Sequence, residues 1–526
     1  MINSNGWAVA SECEVATNEQ QDSRARPLSR SAKSDARIVL PQNEPIGILS
    51  CRGSIERPRR LPVPLQVLSS ERESDVSQGL RSCRQQSHGG RGSRVSPEKP
   101  PDGSSGEERL RVAFVTQWFP PEPTLTPVWI AEALRRQGLT VSVLTGVPNF
   151  PTGNVQDGFS AWRGTRETRD GFFVQRVPLY PSHDRSAAGR AANYASYGVS
   201  SAIVGAPLLR SADVALVYSS PATAATAAMM ANIRSGTPYV LLVQDLWPDS
   251  VFAAGFLTGG RARRMAEMSL TWFTEQAYRR AAHVAVISPG MRDLLIHRGV
   301  PSDKVSVIYN WADEKVMRPS EPDPGLRTRL GFTDEFVLMY GGNHGAAQAL
   351  DVAIHAMGEL RDLQDVHLVL VGDGIDKSAL HSQAEHLNLR SVHFLDPVAS
   401  DRMPALMAAA DMQLVSLADQ SLFRITLPSK VQSILACGQP VLACVPGDAA
   451  RVVQGAGAGL TAPPGDPSAL ARVIREAHSM PREQLRTMGR SGLHYYGATL
   501  SEAINARALA DLLRRAAKTK RGATGG

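Results

Sequence analysis

Short runs of almost wholly apolar residues, each the length of a β-strand, alternate with stretches of helical composition along this 526-residue chain. The first series comprises Arg111–Thr116 (RVAFVT), Val141–Leu144, Val214–Tyr218, Tyr239–Val243, His283–Ile287 and Val305–Ile308. A strand with one wet face alternates apolar and polar residues, whereas these runs are apolar on both faces. They therefore belong in parallel sheets covered by helices on each side. Pro319–Asp323 breaks the pattern with proline and acid. A second series follows at Phe336–Tyr340, Val366–Val371, Val392–Leu395, Met412–Leu417 and Val441–Cys444. The expected fold class is α/β, with two Rossmann-like, doubly wound parallel-sheet domains at 108–318 and 319–494 facing a cleft. Asp466-Pro467 reads as the capped start of a helix. The last helices cover about Pro481–Ala517, with the segment from about 495 to 517 packing back on the first domain, and 518–526 is a short basic tail.

Residues 1–107 are rich in Ser, Arg, Pro, Gln and Gly without any sustained period, and read as a disordered tail. They lack an apolar stretch at the start that would mark a signal peptide. No run of about 18–20 apolar residues occurs, so no transmembrane helix is expected. Five cysteines without a CxxC pair argue against a disulfide framework or a structural zinc site and fit a reducing cytoplasm. The histidines His283, His297, His344, His355 and His367 are scattered, and no metal site is expected. The net charge of +7 suits either a well-solvated surface or an anionic membrane surface. Its basic clusters lie at Arg261–Arg264 and between Arg514 and Arg521. No helix-turn-helix, RNA-recognition or zinc-finger pattern accompanies the charge, which sets nucleic acid aside as a partner.

In doubly wound sheets ligands bind outside the carboxyl ends of the strands. Three segments of the second series fall there. Gly341–Gly345 (GGNHG) follows one strand and precedes a helix. It is either a phosphate-binding loop, with Gly342, Asn343 and Gly345 near the ligand, or an ordinary tight βα turn. Gly372, Asp373 and Gly374 end the next strand, in a turn signal that faces the same edge. Leu427–Lys430 (LPSK) opens a helix: Ser429 can cap it, the free amides can hold a phosphate, and Lys430 supplies a point charge. The first series contributes Gln244–Ser250 (QDLWPDS), in which a carboxylate, Asp245, and an indole, Trp247, suit sugar hydroxyls and a sugar face. Asn149, Ser220 and Asn310 also stand just beyond strands.

Trp118–Glu122 (WFPPE), Leu144–Gly153 (LTGVPNFPTG), Gln244–Ser250, Gly342–Gly345 with Gln348–Asp351 (QALD), Val371–Gly374 and Leu427–Lys430 occur in an order that resembles glycosyltransferase family four. The likeness is to its WbuB/WcaI-like subgroup of surface-polysaccharide enzymes, of the GT-B fold, and runs from about Arg111 to Ala517. The resemblance implies a retaining, metal-independent transfer from a nucleotide-diphosphate sugar held by the second domain. The sugar would be fucose or an N-acetylated aminodeoxysugar. The acceptor, held by the first domain, would be a glycan on a polyprenyl diphosphate, handled at the cytoplasmic face of the plasma membrane by a peripheral enzyme. By that resemblance Asp245 and Lys430 are catalytic. Gly342, Asn343, Gly345, Gly372, Asp373, Gly374, Ser429, Lys430 and Ser433 bind donor, and Gln244, Trp247, Asn149, Ser220 and Asn310 bind acceptor. Many family members carry two glutamates where this chain has Ile425 and Ser433, and a histidine where it has Gln244. Two other readings stay open on the sequence: a nucleotide-sugar epimerase, and a non-catalytic nucleotide-sugar or glycan-binding partner of another transferase.

Overall fold

The computed structural model describes residues 109–182, 187–253 and 260–524. The expected tail at 1–107 lies outside them. Eight strands form the first sheet: β1 Arg111–Val115, β2 Thr140–Gly146, β3 Thr165–Arg169, β4 Phe172–Val177, β5 Val214–Ser219, β6 Tyr239–Val243, β7 His283–Val286 and β8 Val305–Val307, in the order β3-β4-β2-β1-β5-β6-β7-β8. Six form the second: β9 Phe336–Gly341, β10 Val366–Val371, β11 Val392–Leu395, β12 Met412–Ser416, β13 Val441–Cys444 and β14 Gly459–Ala462, in the order β11-β10-β9-β12-β13-β14. The helices of the first half are α1 Leu125–Arg136, α2 Ala187–Val204, α3 Ala206–Ser211, α4 Ala225–Ser235, α5 Asp249–Ala253, α6 Gly260–Arg280 and α7 Pro289–His297. Those of the second are α8 Pro324–Leu330, α9 Leu350–Gly358, α10 Lys377–His386, α11 Met403–Ala409, α12 Ser429–Ala436, α13 Asp448–Gly455, α14 Pro467–Ser479, α15 Arg482–Tyr495 and α16 Glu502–Thr524.

Every central run read as a doubly covered strand is one. Val214–Ser219 and Tyr239–Val243 are buried throughout, as is Phe336–Gly341. One face of the first sheet packs against α1 and α16, where Phe114, Leu134, Leu509 and Leu513 meet. The other packs against α2, α4, α6 and α7 through residues such as Tyr197, Ala228, Tyr278 and Leu295. Each fully buried Leu or Phe side chain contributes about 1.5–3 kcal/mol relative to exposure. The return of α16 to the first sheet therefore joins this last helix firmly to the first domain. A π-helical turn at Tyr496–Leu500 precedes it. There Tyr496 Oη accepts from the Ala312 amide at 3.1 Å and donates to Glu314 at 3.0 Å.

Three expectations are corrected. The first sheet is not wholly parallel, because β3 pairs antiparallel with β4 at its edge. Asp170 and Gly171, both at positive φ, make the tight hairpin turn that Asp-Gly favours. Thr165–Arg169, an edge strand, consists of polar residues only and so lacks the apolar run that marks the buried strands. Ser429 does not cap α12: Pro428 holds the cap position with extended backbone, and Ser429 is the first helical residue. The basic segment from 518 is helical as far as Thr524. Asp466 does cap α14, its carboxylate accepting from the Ala469 amide at 2.9 Å.

Candidate active site

The carboxyl ends of both sheets open on one cavity of about 240 Å³. The first half lines it with Ser220 beyond β5, Gln244 and Asp245 beyond β6, and Asn310 and Trp311 beyond β8. The second half lines it with Gln348, Ser416, Leu427, Pro428, Ser429, Lys430 and Ser433. Side chains read from sequence as belonging to separate functions thus face each other.

On the first side Asp245 is half-buried, and its Oδ2 accepts a hydrogen bond from Ser220 Oγ at 2.7 Å. Burial raises its carboxyl above the usual range, against the opposing influence of the Ser220 hydroxyl. Gln244 and Asn310 exchange two amide hydrogen bonds, of 3.2 and 2.7 Å. That pairing fixes both side chains at the cavity wall. Trp311 Nε1 is buried without a hydrogen-bond partner in a residue that lines the cavity. A buried donor left unpaired is costly, and a polar ligand group would relieve it.

On the second side α12 starts at the cavity with its amides unspent by any side-chain cap. The positive end of its dipole lies there. Lys430 is buried: its Nζ sits 4.1 Å from the centre of the Tyr340 ring and bonds the Tyr340 hydroxyl. That hydroxyl in turn donates to the Asn343 carbonyl at 2.7 Å. Loss of solvation pulls the Lys430 ammonium down to about 7. Ser433, one turn on, also faces the cavity. Tyr340, the penultimate residue of β9, thereby ties the glycine loop after β9 to the start of α12.

The two glycine loops do something different from what the sequence suggested. They lock onto each other. The Gly342 amide donates to Val371 O and the His344 amide to Asp373 O, each at 2.8 Å. A Cβ on Gly372 would stand 2.0 Å from Gly342 O, and one on Gly374 would stand 2.2 Å from His344 O. Glycine at these positions permits contact between two backbones, and the Gly342 amide is spent within the protein. Asp373 turns to the amide of Gly374 at 2.8 Å, and Asn343 bonds Gln348 at 3.1 Å. None of Gly342, Asn343, Gly345, Gly372, Asp373 and Gly374 is among the cavity-lining residues. Gly372→Ala is expected to destabilise the second domain by about 3 kcal/mol or more, since it adds backbone overlap to a strained φ. Urea unfolding at wild-type stability would show that the loops can part. His344, enclosed by the same loops, is driven down to about 4 by burial and by the nearby Lys377 and Lys430, and is neutral.

Two expected acceptor residues are not brought to the cavity. Trp247 is packed edge-on to Tyr194 (5.7 Å between ring centres), which in turn meets Trp118. Asn149 is buried, its side chain bonded to Val147 O and to Asn193. The residue that organises this region is Glu122, a carboxylate that the sequence reading placed in a motif without a role. It accepts from the amides of Phe119, Asn149 and Phe150 at 2.9–3.1 Å, fastening the loop after β1 to the loop after β2. Burial pushes its carboxyl up to about 7, against those three amides and Arg176. Ile425 lies outside the cavity, packed against Gly290, while Ser288 Oγ donates to its carbonyl at 2.5 Å. Among the described residues no group of three or more His, Cys, Asp or Glu is placed to hold a metal ion.

Comparison with known proteins agrees with this geometry. Residues 123–311 match the glycosyl transferase 4-like domain and residues 335–479 match glycosyl transferases group 1. The chain is 29% identical over 321 residues to the putative colanic acid biosynthesis glycosyl transferase WcaI of Escherichia coli, covering 59% of this chain and 76% of WcaI. It is 28% identical over 292 residues to the probable glycosyltransferase WbjE of Pseudomonas aeruginosa, covering 54% and 70%. In fold it is similar to Anabaena HepE, crystallised with UDP and glucose, at TM-score 0.55 and 19% identity over 77% of this chain and all of that one. Both halves match glycosyltransferase domains in the right order, and both sheets match that architecture. The chain belongs to the glycosyltransferases that join a 4-like domain to a group 1 domain in the GT-B fold.

Proposed function

We propose that this enzyme transfers a sugar, with retention of anomeric configuration, from a nucleoside diphosphate to a lipid-linked glycan in the assembly of a surface polysaccharide. The observation that carries the reading is the meeting of Asp245 and Lys430 on opposite walls of one cavity. The relatives named for colanic acid biosynthesis and the UDP complex of HepE support the substrate classes. The donor diphosphate lies at the start of α12, where the Ser429 amide and Lys430 meet its negative charge. Ser433 holds the nucleoside ribose or the sugar in place of a glutamate. Asp245, steadied by Ser220, orients the acceptor hydroxyl. The acceptor oxygen bonds to the anomeric carbon as the bond from that carbon to the phosphate oxygen breaks. The hydroxyl proton passes to the departing phosphate on the same face. The charge that grows on the diphosphate is what the protein must stabilise, and cationic and amide donors suffice for that without a metal. The sugar is fucose or an N-acetylated aminodeoxysugar.

The test is incubation of the purified chain with GDP-, UDP- and dTDP-linked sugars and a polyprenyl-diphosphate glycan, read by mass spectrometry and by the anomeric coupling in the product. Added sugar mass on the lipid with the donor's configuration is the expected result. An inverted product would overturn the retaining step. Donor binding without turnover on any acceptor would overturn the transfer.

A further inference from the structure

We infer that the cavity at the amino edge of the first sheet, between α4, α6 and α16, is a second binding site that takes a soluble sugar phosphate. The inference does not depend on the transfer reaction. The cavity has a volume of about 360 Å³, against about 240 Å³ for the one at the carboxyl edge. It opens where β6 and β7 begin: Pro238 precedes β6, and His283 is the first residue of β7. Asp245 stands beyond the other end of β6. The five residues of that strand, roughly 16 Å, separate the two cavities. Three cations line the amino-edge cavity: Arg280, the last residue of α6, and Arg515 and Lys520 of α16. The latter two come from the basic stretch between Arg514 and Arg521. Among the described residues no carboxylate lines it.

Among the described residues Arg280 and Arg515 have neither a hydrogen bond nor an ion pair. A basic residue in the last turn of a helix answers the helix dipole, which accounts for Arg280. It does not account for Arg515, which stands more than two turns before the end of α16. Lys520 is anchored in the wall, its Nζ donating to Ala212 O at 2.9 Å. Cations gathered without a counter-charge repel one another, and a bound anion removes that cost. Two guanidinium groups with unspent N–H donors fit the oxygens of a phosphate. A phosphate group, about the size of two or three waters at roughly 30 Å³ each, leaves most of the space empty. His283 says what else is bound. Its Nδ1 is buried without a hydrogen-bond partner. The ring bonds the Lys304 backbone in a way that raises its pKa, as donation to a carbonyl does, while burial and then Arg515 hold it below the usual range. A neutral imidazole whose single N–H is so used keeps a bare, accepting nitrogen. A ligand hydroxyl is the donor that Nδ1 lacks. Pro238 and Ala516 offer an apolar wall to ring carbons. Phosphate, hydroxyl and an apolar ring face in one small molecule describe a sugar phosphate.

The experiment is calorimetric titration of the full chain with glucose 1-phosphate and, separately, with inorganic phosphate. Wild type is expected to bind glucose 1-phosphate, and inorganic phosphate more weakly. Arg280→Ala/Arg515→Ala is expected to lower both affinities on the order of tenfold or more. His283→Ala is expected to lower the affinity for glucose 1-phosphate alone. Lys430→Ala, in the other cavity, is expected to leave both affinities unchanged. The imidazole nitrogen resonances of His283, assigned by their loss in His283→Ala, are expected to shift as glucose 1-phosphate is added to wild type, which reads the site without a substitution. Wild type that binds neither probe, or an arginine pair that binds as wild type does, would overturn the site. So would binding abolished by Lys430→Ala and kept in the arginine pair, which would seat the probe in the carboxyl-edge cavity. Equal affinity for the two probes would overturn the sugar as part of the ligand.

Discussion

Lys430→Ala is expected to lower kcat on the order of 10²–10³-fold, the usual effect of removing one preorganised donor from developing charge. It should also weaken nucleoside diphosphate binding by about 1.5–3 kcal/mol, the scale of a hydrogen bond to a charged group. The fold should survive. Tyr340 keeps its hydrogen bond to Asn343 O when the amine is gone, and removing a buried, half-ionised group relieves a desolvation cost. A distinctive pH dependence follows from the same residue. In the ligand-free protein burial holds the ammonium down to about 7. A bound diphosphate supplies the missing opposite charge and raises it. Binding is then strongest below pH 7, where the ammonium is already formed. Above pH 7 a proton must be taken up, and affinity falls toward tenfold per pH unit until the pKa of the complex is reached. Calorimetry in buffers of different ionisation enthalpy measures that proton uptake. A pH-independent affinity in wild type, or an equal pH dependence in Lys430→Ala, would remove Lys430 from the diphosphate.

Asp245→Asn is expected to reduce kcat about 10²–10⁴-fold with little change in donor affinity. The amide oxygen of asparagine can still accept from Ser220 Oγ, so the side chain keeps its place. What disappears is the negative charge that orients the acceptor hydroxyl. The folded protein disfavours that charge, because burial raises the Asp245 carboxyl. The folded-state pKa lies above the unfolded one, so ionisation at neutral pH costs stability, and the neutral variant should melt no lower than wild type. Loss of activity with retained or increased stability is the signature of a group kept for chemistry. Wild-type turnover in Asp245→Asn would exclude the residue from the reaction.

The parts of this molecule readable from sequence are those governed by local pattern. Runs such as Tyr239–Val243 and Phe336–Gly341 declare buried parallel strands because both faces are apolar. The position of a loop beyond a strand then declares which edge it occupies. That logic brought Ser220, Gln244, Asp245, Asn310, Ser429 and Lys430 to one cavity, and Ser433, named through the family resemblance, lines it too. It failed where a residue's role depends on partners distant in the chain. Lys430 bonds the hydroxyl of Tyr340, ninety residues earlier, and its ammonium is lowered by burial. Gly372 and Gly374 read as ligand glycines, yet their missing side chains serve the backbone of Gly342 and His344. Trp247 stands beside Asp245 in sequence, but its ring turns to Tyr194 and Trp118. Glu122 lies in a proline-rich loop whose sequence carries no sign of the three amides it collects. The hairpin at Asp170-Gly171 carries a turn signal, but its edge strand, Thr165–Arg169, has no apolar residue to declare it.

One measurement bears most directly on the whole account: a structure of this chain with a nucleoside diphosphate bound. The β-phosphate is expected at the start of α12, with its oxygens about 2.7–2.9 Å from Lys430 Nζ and the Ser429 amide, across the cavity from Asp245. A diphosphate seated elsewhere, with Lys430 still turned onto the Tyr340 ring, would contradict it.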